Sequence, residues 1–571
     1  MQDLRIIDTL APFGVPNSAG PINWSKVDFA ALGQNGELNA VTIARILERS
    51  KLYLQRARAA GYNAVSVDDL AHLAVHNFYP PPLKRRLATY QKMYAQFFAL
   101  AHAENMRIFI TTDFLFHNAA ISAHLHQTGT TVERFFEATL QNVFRSFPKI
   151  DGIILRIGET DGRDVHGDFV SQLQLRTPGD ANIFLKTILP FFEQTNKTLI
   201  FRTWTVGVHK IGDLIWNRAT FNTVFGDIAS ANLVISMKFG ETDFMRYLKL
   251  NPLFFASDHK KIIELQTRRE WEGMGQLPSF VGWDYQTYRD QLADAKNMIG
   301  IYVWCQTGGW SSPTWANATF LDDGLNFWDE LNTFVTAQLF KGISVETALA
   351  DFCAAHGIVD VRKFIALLRL ADQVICEGLY IKEFASQQLY FRRTRLPTLL
   401  WVMWDTVRPS DVMATLLRTF VRDKQQAMRE GYTSAKIAQH MAAIGNELHL
   451  PKEVLRSLAF TAATFTIFAK MREHALVGLD ATQLLALQKD ITAYEKIYPH
   501  HYVFAAEPLR QPAMILQILI RIVVRHRSAY RILDRVLLAT SPFQKIIARH
   551  YFAATNPQLT QQAMGITAIF E

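Results

Sequence analysis

The chain has 571 residues, 49% of them hydrophobic and 20% charged, with a formal net charge of +8. That composition can bury a large core, excludes a disordered or fibrous chain, and by size suggests roughly two to four domains. Three cysteines, Cys305, Cys353 and Cys376, sit in apolar surroundings without CxxC spacing, which argues against a disulfide framework or a structural zinc and suits a reducing compartment.

The basic balance fits an acidic ligand such as a uronate or a polyanionic glycan. No motif of interleaved basic and aromatic residues accompanies it, so no nucleic-acid partner is expected. The N-terminus, MQDLRIIDTLAPFG, lacks a basic segment followed by an apolar one, so no secretory signal is expected. The longest apolar run, residues 513–524, is interrupted by Gln517 and Arg521 and is too short for a membrane span. These features predict a soluble, cytoplasmic protein.

Residues 1–40 read as loop, punctuated by Pro16, Gly20 and Pro21. Helical spacing of Ile43, Ile46, Leu47 and Leu54 predicts a helix over 41–60, closed by Gly61. A strand follows at 62–67, ending in Asp68 and Asp69. A helix over 83–103 then leads to a strand at 107–111 that ends in Asp113. The same rhythm predicts a helix over 132–147 and a strand over 152–157, followed by Gly158, Glu159 and a long polar loop at 160–180. Next come a helix over 181–195 and a strand over 198–202, ending in Thr203 and Trp204. Further strands are predicted at 233–237, 262–265 and 299–303, with an eighth near 324–327.

Strand, polar loop and helix in repeated alternation predict an α/β fold, a (β/α)8 TIM-type barrel over 1–334 with an N-terminal extension. A doubly wound sheet is the alternative. Beyond about residue 334 only helical periodicity remains, as at 362–381 and 461–472, so 335–571 reads as an all-helical C-terminal domain. Between 510 and 549 eight cations face one acid, Asp534. Apolar residues interleave too densely for one stripe of an exposed helix, which points to burial in the helical domain or against a second subunit.

Acids just beyond strand ends are what a barrel needs to act on a sugar at its mouth. Hydrolysis of a glycosidic bond takes one protonated carboxyl for the leaving oxygen and, with inversion, a second carboxylate that deprotonates water on the other sugar face. Glu159, Asp243 and Glu270 stand in such positions and are the candidate catalytic residues. Arg156, Arg202 and Lys238 are candidates either for binding a substrate carboxylate or for balancing the charge of the acids; a barrel glycosidase for a neutral sugar and a non-catalytic glycan-binding barrel are the alternatives. Arg269 is counted with the substrate-binding groups, and Trp204, Trp304 and Trp310 are candidate stacking walls. His72 and His76 have i, i+4 spacing without a zincin glutamate; His117, His124 and His126 also lack diagnostic spacing. No GxGxxG, Walker loop or GxSxG elbow occurs, so no metal or cofactor is expected.

The ordered segments DGIILRIGE, LIFRTW, VISMKFGETDF and NPLF…IIELQTRREWEG resemble the family 67 α-glucuronidases. In that family a strand ending in Ser-Glu is followed by KxGPxDF, SPLF and EFQxTQEYxG. The resemblance covers residues 20–340 and extends to a helical C-terminal part; the family's N-terminal β-rich domain has no counterpart here. It implies that Glu159 is the general acid and that Asp243 and Glu270 are the pair activating water in an inverting, exo-acting reaction on a uronate-bearing oligosaccharide. It further implies that Lys238 and Arg202 lie around the uronate, with Arg156 close to a family lysine, and that the helical domain pairs two subunits. The chain departs from the pattern at Gly158, where the family has Ser, and at Arg269 and Trp271, which flank Glu270 where the family has Gln and Tyr.

Overall fold

The computed structural model describes residues 4–14, 26–33, 37–157, 167–171, 173–205, 209–306, 319–322, 324, 326–391, 393–510 and 514–526. Eight strands form a closed, all-parallel barrel: β1 (Leu4–Asp8), β2 (Ala64–Asp68), β3 (Arg107–Asp113), β4 (Gly152–Arg156), β5 (Thr198–Arg202), β6 (Leu233–Lys238), β7 (Lys260–Gln266) and β8 (Met298–Trp304). Each strand pairs with its neighbours in sequence, and β1 closes the ring against β8. β2, β4, β6 and β8 are buried along their whole length, because helices cover the outside and side chains fill the lumen.

The ring corrects the sequence reading at one place. The strand that completes it is Leu4–Asp8, inside the segment expected to be loop, and the expected strand at 324–327 instead runs into the helix Phe327–Leu339. With only Leu4, Ile6 and Ile7 apolar, LRIID is too short to announce itself. Its strand character comes from pairing with Gly300–Val303 on the other side of the sequence. Gly300 allows that approach, since a Cβ there would lie 1.7 Å from the Leu4 carbonyl oxygen.

The helices begin where side chains can satisfy their first amide groups. Asn39 caps Ala40–Ala60, and Gly61 ends it in the left-handed conformation. Thr131 caps Val132–Ser146, and Thr177 with Asp180 forms a capping box on Pro178–Thr195. After the barrel come Val345–Ala355, Val361–Gln373, Asp411–Phe420, Lys424–Glu447, Lys452–Val477 and Ala481–Ile497. Lys424–Glu447 and Lys452–Val477 lie along each other.

Short strands interrupt the helical region. Leu389–Phe391 pairs with Thr394–Arg395 and Arg525–His526, and Thr406–Val407 pairs with Val503–Phe504. Lys452–Val477 has the length and hydropathy of a membrane span, yet Phe460, Phe465, Phe468 and Leu476 are buried in the core. That core runs continuously from the barrel into the helices.

Two acids are buried where barrel and helices meet. Asp8 accepts from the Cys305 and Gln306 backbone amides, and burial raises its pKa to about 6. Asp329 accepts from Thr267 and Thr333 beside Arg268, and burial raises it to about 7. A carboxyl that holds its proton more tightly when folded stabilises the fold below its unfolded pKa, and that contribution is lost as pH rises through the folded value. Stability should therefore fall between about pH 4 and pH 7 on account of these acids. Asp329→Asn should flatten that decline in denaturant midpoints measured across the range; a variant with the wild-type slope would contradict the assignment.

Candidate functional site

The C-terminal ends of β4 to β8 carry Arg156, Arg202, Lys238, Gln266 and Trp304, all buried. Two loops continue inward from there. The loop after β6 is closed by the Asn251 amide donating to the Phe239 carbonyl at 2.8 Å, and it carries Asp243. The loop after β7 turns sharply at Arg269, which has a φ of 58°, and it carries Glu270. Non-glycine residues in that backbone region cost about 1–3 kcal/mol and concentrate at functional sites.

Asp243 and Glu270 meet across these loops. Asp243 Oδ1 accepts from Lys238 Nζ at 2.7 Å and from the Phe244 amide at 2.9 Å, while Oδ2 accepts from Trp271 Nε1 at 3.1 Å. The Glu270 amide donates to Gln266 Oε1 at 2.9 Å. The Glu270 carboxyl is buried, with Asp243 and Lys238 as its charged neighbours. Burial first, and the Asp243 charge second, push its pKa well above the carboxylate range, with Lys238 opposing. Burial and the neighbouring negative charge thus favour the protonated form of Glu270. Lys238 Nζ also lies 3.5 Å from the centre of the half-buried Trp204 ring and 4.5 Å from that of Phe244.

The other sequence-predicted cations face protein carboxylates. Arg202 donates from Nε and Nη2 to the two oxygens of Glu264 at 3.0 and 2.9 Å. Glu264, inside β7, also accepts from Ser236 Oγ at 2.7 Å and Trp304 Nε1 at 3.3 Å, and the Arg202 guanidinium lies over the Trp304 ring. Arg156 pairs with Asp68 at 3.3 Å and Asp113 at 3.2 Å, and Lys26 meets Asp113 at 2.9 Å. Arg269 is engaged by Glu272, not by the Asp243–Glu270 pair. Glu159 and Trp310 lie outside the described residues.

Glu264 and Trp404 were passed over in the sequence, and Gln306 was read there only as a polar group after the strand at 299–303. Glu264 was hidden in the apolar run IIELQ, where a lone acid was the available signal. Gln306, buried just after β8, has a carboxamide with no hydrogen-bond partner among the described residues on either atom. Trp404, from the helical region, sits in a tight turn closed by reciprocal Met403–Thr406 backbone bonds and stacks on Trp271 at 5.1 Å, backing the indole that holds Asp243.

Among the described residues no group of three or more His, Cys, Asp and Glu side chains is arranged to hold a metal. A hollow of about 570 Å³ with Arg58, Arg107 and Lys260 on its lining opens at the N-terminal end of the strands, away from these acids.

No family model matches the chain, and no curated protein does. Among solved structures it is similar to a GH138 enzyme targeting the pectin rhamnogalacturonan II, at 10% identity over 98% of this chain and 68% of that one, with a TM-score of 0.52. The match to CpGH84B has 10% identity over 91% and 77% of the two chains and a TM-score of 0.40. A mutant of the Thermobaculum terrenum O-GlcNAc hydrolase matches at 8% identity over 79% and 86%, with a TM-score of 0.34. At such identity the first of these, with a TM-score above 0.5, establishes a shared fold.

Proposed function

We propose that the chain is an inverting, exo-acting glycoside hydrolase that removes a uronic acid from an oligosaccharide, in the manner of an α-glucuronidase. The observation that carries the proposal is the Asp243–Glu270 pair, two buried acids brought from separate loops to the end of the barrel where such enzymes act, with Asp243 held by Lys238 and Trp271. Asp243, oriented by Lys238 and Trp271, takes a proton from water as the water oxygen bonds to the anomeric carbon. Glu270, protonated, donates a hydrogen bond and keeps the second carboxyl neutral. Glu159, which follows β4 by sequence, gives the proton that the departing oxygen needs as the glycosidic bond breaks.

The uronate is supported by the order of motifs shared with family 67 and by the cations Arg156, Arg202 and Lys238 ending three successive strands. A neutral sugar is favoured instead by one feature: Glu264 occupies both arms of the Arg202 fork, and Asp68 and Asp113 already neutralise Arg156. Incubation with matched glucuronide- and glucoside-capped oligosaccharides, with NMR of the first-formed anomer, tests both readings. The uronate reading expects the glucuronide to be cleaved at least tenfold better, since charge-assisted hydrogen bonds are about twice as strong as neutral ones. Equal cleavage supports the neutral sugar, a retained anomer removes the inverting mechanism, and no cleavage of any glycoside removes the hydrolase.

A further inference from the structure

We infer that Tyr380, from the helical region, is a positioning residue that fixes the separation of the Asp243 and Glu270 carboxyls. The inference takes those two acids as the reacting pair and so rests on the hydrolase reading.

Tyr380 follows a six-residue π-helical segment, Val374–Leu379, which breaks a stretch whose periodicity predicts uninterrupted helix. Such wide turns recur at functional sites. The side chain is fully buried, and its hydroxyl makes two bonds of opposite sense. It accepts from the Arg246 amide at 3.1 Å and donates to Glu272 Oε1 at 2.7 Å. Arg246 lies in the loop that carries Asp243, and Glu272 in the loop that carries Glu270. One oxygen from a third element therefore ties together the two loops that carry Asp243 and Glu270.

The bridge has a rigid backing. Fully buried Arg472, from Lys452–Val477, donates to the Tyr380 carbonyl at 2.9 Å, the Glu377 carbonyl at 2.7 Å and the Ala427 carbonyl at 3.0 Å. Thr398 Oγ1 donates to the Arg246 carbonyl at 2.9 Å, so both sides of that residue's backbone are held from the helical region. Arg246 also reaches Asp284 and Glu272 on the barrel side, at 2.9 and 3.4 Å, and Asp372 of the helical region at 2.9 Å, while Arg269 and Ser279 also bond Glu272.

The charged and titratable groups around Tyr380 and Glu272 are Arg246, Arg269, Asp284, Asp372, Cys376, Tyr247, Tyr285 and Tyr502. Those around Glu270 are Asp243 and Lys238. Burial keeps the Tyr380 phenol neutral, so removing its oxygen changes no charge. Any change in the Glu270 titration on removing that oxygen then reports a change in the distance to Asp243. A displacement of about 1 Å at a reacting pair costs on the order of a hundredfold in rate.

The test is Tyr380→Phe, read by infrared titration of the protonated Glu270 carboxyl, a band identified by its loss in Glu270→Gln. As the acids relax apart their repulsion weakens, and the Glu270 titration should move down by at least about one pH unit, tenfold in proton affinity. Turnover per folded molecule should fall by at least tenfold with KM within twofold. Thr398→Val, which frees the other side of Arg246, should move the band in the same direction and keeps the test available if Tyr380→Phe folds poorly. A lowered denaturation midpoint with an unmoved Glu270 band in both variants would make the bridge merely structural and overturn the inference. Because the infrared arm needs no substrate, it decides the positioning role even if no glycoside is cleaved, an outcome that fails the hydrolase reading alone.

Discussion

Asp243→Asn should lower kcat by about 10²–10⁴-fold, the range expected on loss of a general base. Asparagine keeps the volume and can still accept from Lys238, but it cannot take a proton from water. Glu270→Gln should cost much less, because a carboxamide can still donate to Asp243 as the protonated acid does. The two variants thus separate roles that a list of acids cannot. The high-pH limb of wild-type activity should lie above the ordinary carboxylate range, where burial and the Asp243 charge hold the Glu270 proton. In Asp243→Asn that charge is gone, and the Glu270 titration should move down. A larger loss for Glu270→Gln than for Asp243→Asn, with both normalised to folded protein, would exchange the two assignments.

Glu264→Gln should destabilise the protein by roughly 3–5 kcal/mol, the cost of leaving a buried charge without its partner. Arg202 and Glu264 are both fully buried and joined by two parallel bonds, so neither can turn to water when the other is lost. The double variant Arg202→Met/Glu264→Leu should recover most of the loss, since packed apolar groups can replace a buried pair without penalty. Denaturant midpoints of the wild type and the two variants measure this. If Glu264→Gln leaves the midpoint unchanged, the Arg202 charge is satisfied elsewhere, and its availability to a uronate returns to the fore. The pair therefore bears on both stability and sugar choice.

Seven of the eight barrel strands, β2 to β8, were legible as short apolar runs, because strand length and β-branched content are local properties. The helices read at 41–60, 83–103 and 132–147 end within two residues of those observed, with Gly61 closing the first, whereas Ala119–Thr128, Arg218–Phe225 and Gly282–Gln291 were not read. The positions of Lys238, Asp243 and Glu270 just beyond strand ends also followed from local reading. What could not be read were relations between residues distant in sequence. Leu4–Asp8 is a strand because Gly300–Val303 lies beside it. Arg202 looked available to a ligand until closure of the ring brought Glu264 from two strands away onto both arms of its fork. Arg269, next to Glu270 in sequence, turned out to serve Glu272.

By itself, then, the sequence determined the alternation of strand and helix and the acids that end the strands, since each depends on a handful of consecutive residues. Only the tertiary structure decided which cations already face protein carboxylates, and that Trp404 and Tyr380 from the helical region pack against or bond the loops at the barrel mouth. Those outcomes turn on burial and on distances of about 3 Å between groups hundreds of residues apart in some cases, where a pKa shift or a hydrogen bond exists only once the chain has closed.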